Sequence, residues 1–432
     1  MQRLPRVLLL AGLLMLLPTV LLFSNGGQED GGASSEQVEL RVWYATGTNL
    51  DPLVEAYEDQ SSDVSLNVEQ TRTEDIRSRI QVSLQSGTGP DVFEYDTGVG
   101  YAGALVEADM LLPLDSYYEQ YGWDDRFFGW TVDRVRFGES LYGIPFGLEY
   151  IGTYYNKAIF NELDLSVPQT YEDFLSTAEA LKQADYIPVA FANQNQWPAF
   201  HMFSIFANTL AGKDKIESLL FENQGTWEDP DFVKAIRLPF VEMNQTGYFI
   251  EGTNGVSYDD GNLLFFTGEA GMHITGMWLL GDIMDNVENP DDIGFFAFPS
   301  IDGNPSLPPA GVSAGLLVSA NTDYPDVAAE FLNFVFSEEM GPVWIEDAKS
   351  LPPYAVDLAP LDLAPLERNM NATMQEVSQG AGGGMGYNID VLTPPRFNEA
   401  MATGFQEVIA GEKTAEEQAA DLQRAWEAEQ GN

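Results

Sequence analysis

The fold class is indicated most clearly by residues 38–96, VELRVWYATGTNLDPLVEAYEDQSSDVSLNVEQTRTEDIRSRIQVSLQSGTGPDVFEYD. Its apolar residues alternate in some segments and recur at helical spacing in others, which predicts strands and helices in turn. The predicted strands are 38–44, 64–68 and 92–93, and the predicted helices are 53–57 and 76–84. This alternation favours an α/β fold with a mainly parallel sheet, in which ligands contact the carboxyl ends of the strands.

A second α/β set follows farther along the chain. Residues 170–173 (TYED) and 414–417 (TAEE) have the spacing of helix-capping boxes, and Pro325 is suited to opening another helix. Apolar segments between these helices are further strand candidates: 188–191, 270–278 and 294–298. At 432 residues, the chain is long enough for two or three folding units.

The N-terminus has the layout of a secretory signal. Arg3 and Arg6 precede an almost uninterrupted apolar run over 7–23, and small residues follow it. We therefore expect a signal peptide at 1–24 and a flexible leader at 25–37, with a retained membrane anchor as the alternative. The signal predicts an exported protein of the periplasm or cell surface. Because the chain has no cysteine, we expect no lipid-anchor Cys.

The composition excludes some partners. The formal net charge is −47, so phosphate backbones and anionic membrane surfaces should repel the chain. We expect no nucleic acid partner and interpret the acidic surface as an aid to solubility, suited to a saline habitat.

Several motifs, in a fixed order, resemble those of extracellular solute-binding proteins of ABC transporters, in the maltose and oligosaccharide branch. They comprise a strand ending in an acid, the segments that cross between two lobes, a helix start, and a strand and turn ending in Trp278. The motifs are 88–96 (TGPDVFEYD), 141–157 (LYGIPFGLEYIGTYYNK), 168–173 (PQTYED), 266–278 (FTGEAGMHITGMW), 294–303 (GFFAFPSIDG) and 311–318 (GVSAGLLV).

The resemblance implies a two-lobe periplasmic-binding-protein fold of type II, with α/β lobes joined by crossing hinge strands. We place lobe one at 38–146 plus 300–350 and lobe two at 147–299 plus 351–426. The resemblance also implies a non-enzymatic monomer that captures a sugar or oligosaccharide between closing lobes and delivers it to the transmembrane subunits of an ABC permease. No cofactor and no metal are expected.

Three residues are the main candidates for sugar binding. By the resemblance, Trp278 faces the cleft and stacks on a sugar ring; the alternative is a core tryptophan. Asp96 ends a predicted strand, where ligand contacts are expected, although a helix cap is also possible. Glu149 lies in the crossing segment among apolar neighbours, and bound hydroxyl groups would give its carboxylate a partner.

The same mapping suggests weaker candidates in three loops, each of which is more often ordinary loop chemistry. These candidates are Thr48 and Asn49; Asn193, Gln194 and Trp197; and Tyr387 and Asn388.

Three alternative functions have weaker support in the sequence: a dinucleotide site, a zinc site and a glycoside hydrolase. Residues 98–103 (GVGYAG) match a dinucleotide-binding pattern, but they follow the third strand instead of the first, so we interpret them as a tight turn facing the ligand. His201 and His273, the two histidines of the chain, are interpreted as core positions without the partners of a zinc site. The enzyme alternative is a secreted glycoside hydrolase that uses a carboxylate pair, and acid count alone does not distinguish it.

Overall fold

The computed structural model describes residues 37–46, 48–378 and 385–430. The predicted signal peptide, all but the last residue of the predicted leader, and Gly47 lie outside the described residues. In the described part of the chain, no helix is both long and apolar enough to span a bilayer.

The described residues form strands, helices and short helical turns. The strands are β1 (Val38–Ala45), β2 (Val64–Thr71), β3 (Val92–Asp96), β4 (Arg136–Phe137), β5 (Ser140–Leu141), β6 (Gly143–Asn156), β7 (Ile187–Val189), β8 (Ala270–Gly276), β9 (Ile293–Phe296) and β10 (Ala310–Val318). The helices are α1 (Asp51–Gln60), α2 (Thr73–Ser86), α3 (Ala102–Glu107), α4 (Asp115–Tyr121), α5 (Trp123–Arg126), α6 (Gly129–Val132), α7 (Lys157–Glu162), α8 (Tyr171–Gln183), α9 (Trp197–Ala211), α10 (Lys213–Phe221), α11 (Pro230–Arg237), α12 (Asn244–Thr246), α13 (Tyr258–Phe266), α14 (Leu279–Asn286), α15 (Pro325–Val335), α16 (Gly341–Glu346), α17 (Pro365–Ser378), α18 (Ile389–Leu392), α19 (Pro395–Ala410) and α20 (Ala415–Gln430). The short turns are 3₁₀ at Asp133–Val135, Thr253–Gly255, Pro290–Asp292 and Glu338–Met340, and π-helical at Leu238–Met243.

Local sequence signals explain several of these boundaries. At the start of α8, Thr170 and Asp173 exchange the two hydrogen bonds of a capping box, each 3.1 Å long. The matching pair before α20 is formed by Thr414 and Glu417. Helix α2 ends at Gly87, whose φ of 72° is the left-handed conformation that glycine adopts without steric cost. The two predicted capping boxes are confirmed.

One sheet of eight strands runs through the molecule in the order β2-β1-β3-β10-β6-β8-β7, with β9 paired to β6. The pairs β1–β2, β1–β3 and β7–β8 are parallel. Every antiparallel pair of this sheet involves β6 or β10. The α/β class is confirmed, and the antiparallel pairs belong to the strands that cross the middle of the sheet.

Strand β6 joins two halves of the sheet. Its first part, 143–150, pairs with β10, and its second part, 151–156, pairs with β8 and β9. We call the part built around β1, β2 and β3 lobe one, and the part built around β7, β8 and β9 lobe two. Strands β6 and β10 are therefore the crossing strands that the resemblance implied.

The apolar cores follow this division. Lobe one has a cluster on each face of β1: Leu40, Val42 and Tyr44 point into one, and Ala45 packs in the other. Lobe two has the cluster that contains α9, α19 and α20. A further cluster surrounds the crossing strands. Ile301, at the start of the second range predicted for lobe one, packs with the lobe-two cluster; the lobe boundaries stay a prediction.

Candidate functional site

A cleft lies where strands of both lobes end. Strands β1 and β3 are parallel, so their carboxyl ends share one edge, and the same holds for β7 and β8 in lobe two. The cleft consists of two adjoining cavities, the first of about 330 Å³ and the second of about 340 Å³. The two cavities share lining residues, which are Thr46, Thr48, Glu149, Trp278 and Asp282.

Lobe two contributes an aromatic wall to the first cavity. The rings of Trp197 and Tyr258 lie 4.4 Å apart between centroids, and Trp278 lies 6.0 Å from Trp197 in an edge-to-face arrangement. The His201 ring is 5.1 Å from each of the two tryptophan rings. The C–H faces of a sugar ring can pack on such a surface.

Trp278 is held in place by the turn that follows β8. Its indole Nε1 donates a hydrogen bond of 2.9 Å to the Tyr258 hydroxyl group, which also shares one of 2.8 Å with Thr275. The indole lies so close over Gly276 that a Cβ atom there would be 1.8 Å from a ring carbon. A glycine at 276 is therefore required for this position of Trp278.

Lobe one contributes a charged wall. Glu94 and Asp96 stand at the end of β3, and each accepts hydrogen bonds within the lobe. Glu94 accepts from the Ala45 amide at 2.9 Å and from the Thr48 hydroxyl group at 3.1 Å. Asp96 accepts two bonds from the Arg77 guanidinium, at 2.8 and 2.5 Å.

The cationic side chains that line the two cavities in the described structure all have carboxylate partners. Arg77 pairs with Asp96, and burial, which favours the neutral guanidine, is outweighed by Asp96, so the pKa of Arg77 is raised. Arg72 pairs with Asp75 at 3.1 Å, and in the second cavity Lys349 pairs with Glu367 at 2.6 Å. A ligand anion would therefore compete with carboxylates already in place.

The two lobes contact each other directly beside the first cavity. Glu74, in the first turn of α2, accepts hydrogen bonds from Asn195 Nδ2 at 2.9 Å and from Trp197 Nε1 at 3.1 Å. On another side, the loop after β3 meets α18, and a Cβ atom on Gly98 would lie 2.2 Å from the Val391 carbonyl oxygen. The glycine at 98 thus allows a close approach of the two lobes, which gives residues 98–103 a structural role other than dinucleotide binding.

Most of the predicted site residues line the cleft. The first cavity is lined by predicted residues from both lobes, and the second cavity adds one more from lobe one. They are Thr48, Asp96, Glu149, Trp197, Trp278 and Asn388 for the first cavity, and Asn49 for the second. Their role in binding a ligand stays a prediction.

Three predicted residues lie outside both cavities, and we do not propose them as ligand contacts. Asn193 is fully buried, and its amide group bonds to Asn254 and to the backbone at the start of α9. Gln194 is exposed at the surface. The Tyr387 hydroxyl group donates to Glu217 at 2.5 Å. Their loops lead to the cleft, but these side chains point elsewhere.

The interpretation of His201 as a core residue requires correction. His201 lies one turn into α9, lines the first cavity, and has a buried Nδ1 without a hydrogen-bond partner. Burial, followed by the nearby Arg77, lowers its pKa to about 3, so the imidazole is neutral. His273 is a core residue, as predicted, 3% exposed and hydrogen-bonded to Asn262.

Several residues of the site were not among the predicted candidates. Glu94 and Arg77 belong to the segment 38–96, and strand alternation would have paired Glu94 with Asp96 on one face. Tyr258 begins the helix that leads into the motif at 266–278, and Asp390 follows the predicted candidate Asn388, but neither residue is part of a pattern that indicates a binding role. Among the described residues, no group of His, Cys, Asp and Glu is arranged to hold a metal ion.

Known proteins share this fold and sequence pattern. Residues 44–342 match the family model described as bacterial extracellular solute-binding protein. A "Multiple sugar-binding protein" of Streptococcus mutans is 23% identical over 329 residues, which cover 73% of this chain and 72% of the relative. An uncharacterized ABC transporter extracellular-binding protein of Pyrococcus horikoshii is 25% identical over 319 residues, covering 71% and 70% of the two chains.

A solved structure described as a chitin oligosaccharide binding protein superposes with a TM-score of 0.81 at 21% identity, covering 92% of this chain and 100% of the other. The likeness confirms the two-lobe fold. The family resemblance expected from the motifs is also confirmed, and this is not a family of enzymes. Because the family model matches more than half of its length, this chain belongs to the bacterial extracellular solute-binding proteins.

Proposed function

We propose that this protein captures a sugar or oligosaccharide between its two lobes and delivers it to the transmembrane subunits of an ABC permease. The observation that carries the proposal is the pairing of unlike walls across one cleft. The rings of Trp197, Tyr258 and Trp278 suit the C–H faces of a sugar, and the carboxylates of lobe one suit its hydroxyl groups. The named sugar-binding relatives support the same ligand class.

Ligand binding and lobe closure are linked in this proposal. A sugar that contacts both walls binds the closed arrangement better than an open one, and this difference in affinity shifts the hinge equilibrium towards closure. A permease can then distinguish loaded from empty protein by shape.

The test is a thermal-shift panel of neutral, basic and acidic mono- and oligosaccharides. A bound ligand raises the melting temperature, since it stabilises the folded state by RT ln(1 + [L]/Kd). We expect at least one sugar to give a saturable shift that calorimetry reproduces. A panel without any binder, tested on folded protein, would overturn the proposal.

We also propose that the protein has no catalytic activity, binds no nucleic acid, acts as an exported monomer, and needs no cofactor. The glycoside hydrolase alternative is tested by incubating the protein with the sugars that it binds and measuring new reducing ends. Unchanged sugar after many protein equivalents supports a binding protein. Steady release of reducing ends, lost on substitution of Glu149, would favour the hydrolase.

A further inference from the structure

Of the carboxyl groups that line the first cavity, that of Asp390 is the most deeply buried, with the residue 3% exposed. The residue lies at the start of α18, and the neighbouring backbone amides oppose the rise in the pKa of its carboxyl group. Its Oδ1 atom, however, is buried and has no hydrogen-bond partner. Buried polar atoms almost always have a partner, so this oxygen at a cavity wall marks a position for a ligand donor.

The surroundings of Asp390 have more negative than positive groups. Arg77 of α2, Asp96 of β3 and the Tyr101 hydroxyl group before α3 interact electrostatically with Asp390. Glu94, two residues before Asp96, lines the same cavity. Asp96 and Asp390 thus share one guanidinium, which already makes two hydrogen bonds to Asp96.

The charge imbalance affects protonation. Burial raises the pKa of Asp390 to about 7, although Arg77 opposes the shift, and Asp96 adds to it. Burial also raises the pKa of Glu94 to about 7, against the hydrogen bonds from Ala45 and Thr48. Without a ligand, proton binding therefore relieves part of the repulsion near neutral pH. A cationic group on the ligand would replace those protons.

Other charge types fit less well. The described cations of both cavities are engaged with carboxylates, so an anionic ligand would find no available partner. A neutral sugar has no charge with which to replace the protons on these carboxyl groups. Asp282, which lines both cavities, and Asp285, which lines the second, add further carboxylates along the cleft.

We infer that the sugar captured by this protein carries a cationic amine, whose ammonium group lies against Asp390 and Glu94 while its ring packs on the aromatic wall of lobe two. This inference rests on the proposed function and narrows its ligand class to basic saccharides. An ammonium group offers three donors, which suits the unpartnered Oδ1 atom of Asp390 and the carboxylate of Glu94.

The test compares three sugars that differ at one position. Gluco-oligosaccharides of equal length carry the parent C6 hydroxyl group, a primary amine or a carboxylate there, and each is titrated by calorimetry into the wild-type protein. The amine is protonated at about pH 7, as a lysine side chain is. We expect it to bind at least about tenfold more tightly than the parent hydroxyl, with the carboxylate weakest.

Two outcomes separate this inference from the proposed function. If the parent sugar binds as well as the amine or better, the cationic ligand is wrong although sugar capture stands. If none of the three binds, the same exchange of hydroxyl for amine is made on whichever sugar the thermal-shift panel has identified, and the comparison is decided there. A panel without any binder overturns both proposals.

A protein variant and a proton count complete the test. Asp390→Asn should remove most of the preference for the amine over the parent sugar, measured as the ratio of the two affinities in the same variant. Asp125→Asn, an exposed change on α5, is the matched control.

Binding of the amine near pH 7 should also release protons, because the ammonium group lowers the pKa values of Asp390 and Glu94. Calorimetry in buffers of different ionisation enthalpy measures this release. Its absence in the wild-type protein would contradict the inference even if Asp390→Asn failed to fold.

Discussion

The two walls of the cleft offer a ligand different groups. In lobe one, Glu94 and Asp96 occupy one strand end and are fixed by directional hydrogen bonds. In lobe two, Trp197, Tyr258 and Trp278 present aromatic faces, which are fixed by packing and by hydrogen bonds at their polar edges. Ring packing tolerates many sugar outlines, whereas a charged group rewards one partner in one place. We therefore expect stacking to supply general affinity for sugars and the charged wall to select among them.

The walls act together only if the lobes come close, and Gly98→Ala is expected to prevent this. The new Cβ atom would lie 2.2 Å from the Val391 carbonyl oxygen, so the observed approach of the lobes would be blocked. Since ligand would then contact one wall at a time, we expect the affinity for sugar to fall by about 100-fold. Calorimetry measures the affinity, and small-angle scattering measures compaction on binding.

Gly129→Ala is the control for this substitution, because a Cβ atom there has no neighbour within 4 Å. Both variants should melt close to the wild-type temperature, since neither alters a core cluster. Wild-type affinity in folded Gly98→Ala protein would show that the two walls do not need to meet.

Trp278→Ala tests the aromatic wall by itself. It removes the largest ring surface shared by both cavities, so we expect binding to weaken by about 2 kcal/mol, or about 30-fold in Kd. Trp278→Phe should recover part of this loss, because it keeps an aromatic face without the hydrogen bond to Tyr258.

The control is Trp43→Ala in lobe one, where the indole packs under Arg79 away from the cleft. This variant should bind sugar as the wild type does. If Trp278→Ala and Trp43→Ala have equal affinities, Trp278 is not part of the binding surface.

Glu94→Gln tests the charged wall through the pH dependence of protein stability. Burial raises the pKa of Glu94 from 4.5 to about 7, so between these values the folded protein binds a proton that the unfolded chain releases. The stability of the wild type should therefore fall as the pH rises through this window, and glutamine removes that contribution. The difference in melting temperature between Glu94→Gln and the wild type, variant minus wild type, should be about 1–3 °C higher at about pH 8 than at about pH 5.

Glu119→Gln, an exposed change on α4, should leave the pH dependence of the melting temperature as in the wild type. If the melting temperatures of Glu94→Gln and the wild type differ by the same amount at every pH, the folded state does not raise the pKa of Glu94.

The fold could be predicted from sequence to a large extent because its signals are local. Alternation over 38–44, the capping pair at 170–173 and the glycine at 87 each act within a few residues, where backbone geometry and hydrogen bonding are set by near neighbours. The ends of strands were less certain: the strand predicted over 270–278 ends at Gly276, which leaves Trp278 in the following turn.

The α/β class, the family and the positions of Trp278, Asp96 and Glu149 along the cleft could be inferred from the amino-acid sequence. Which groups share a cavity depends on the three-dimensional fold, which brings Asp390 near Arg77, places His201 at the cavity wall and leaves Asn193 buried elsewhere. The physical reason is that a strand or a helix cap depends on adjacent residues, whereas a buried charge depends on groups brought close from 300 residues away.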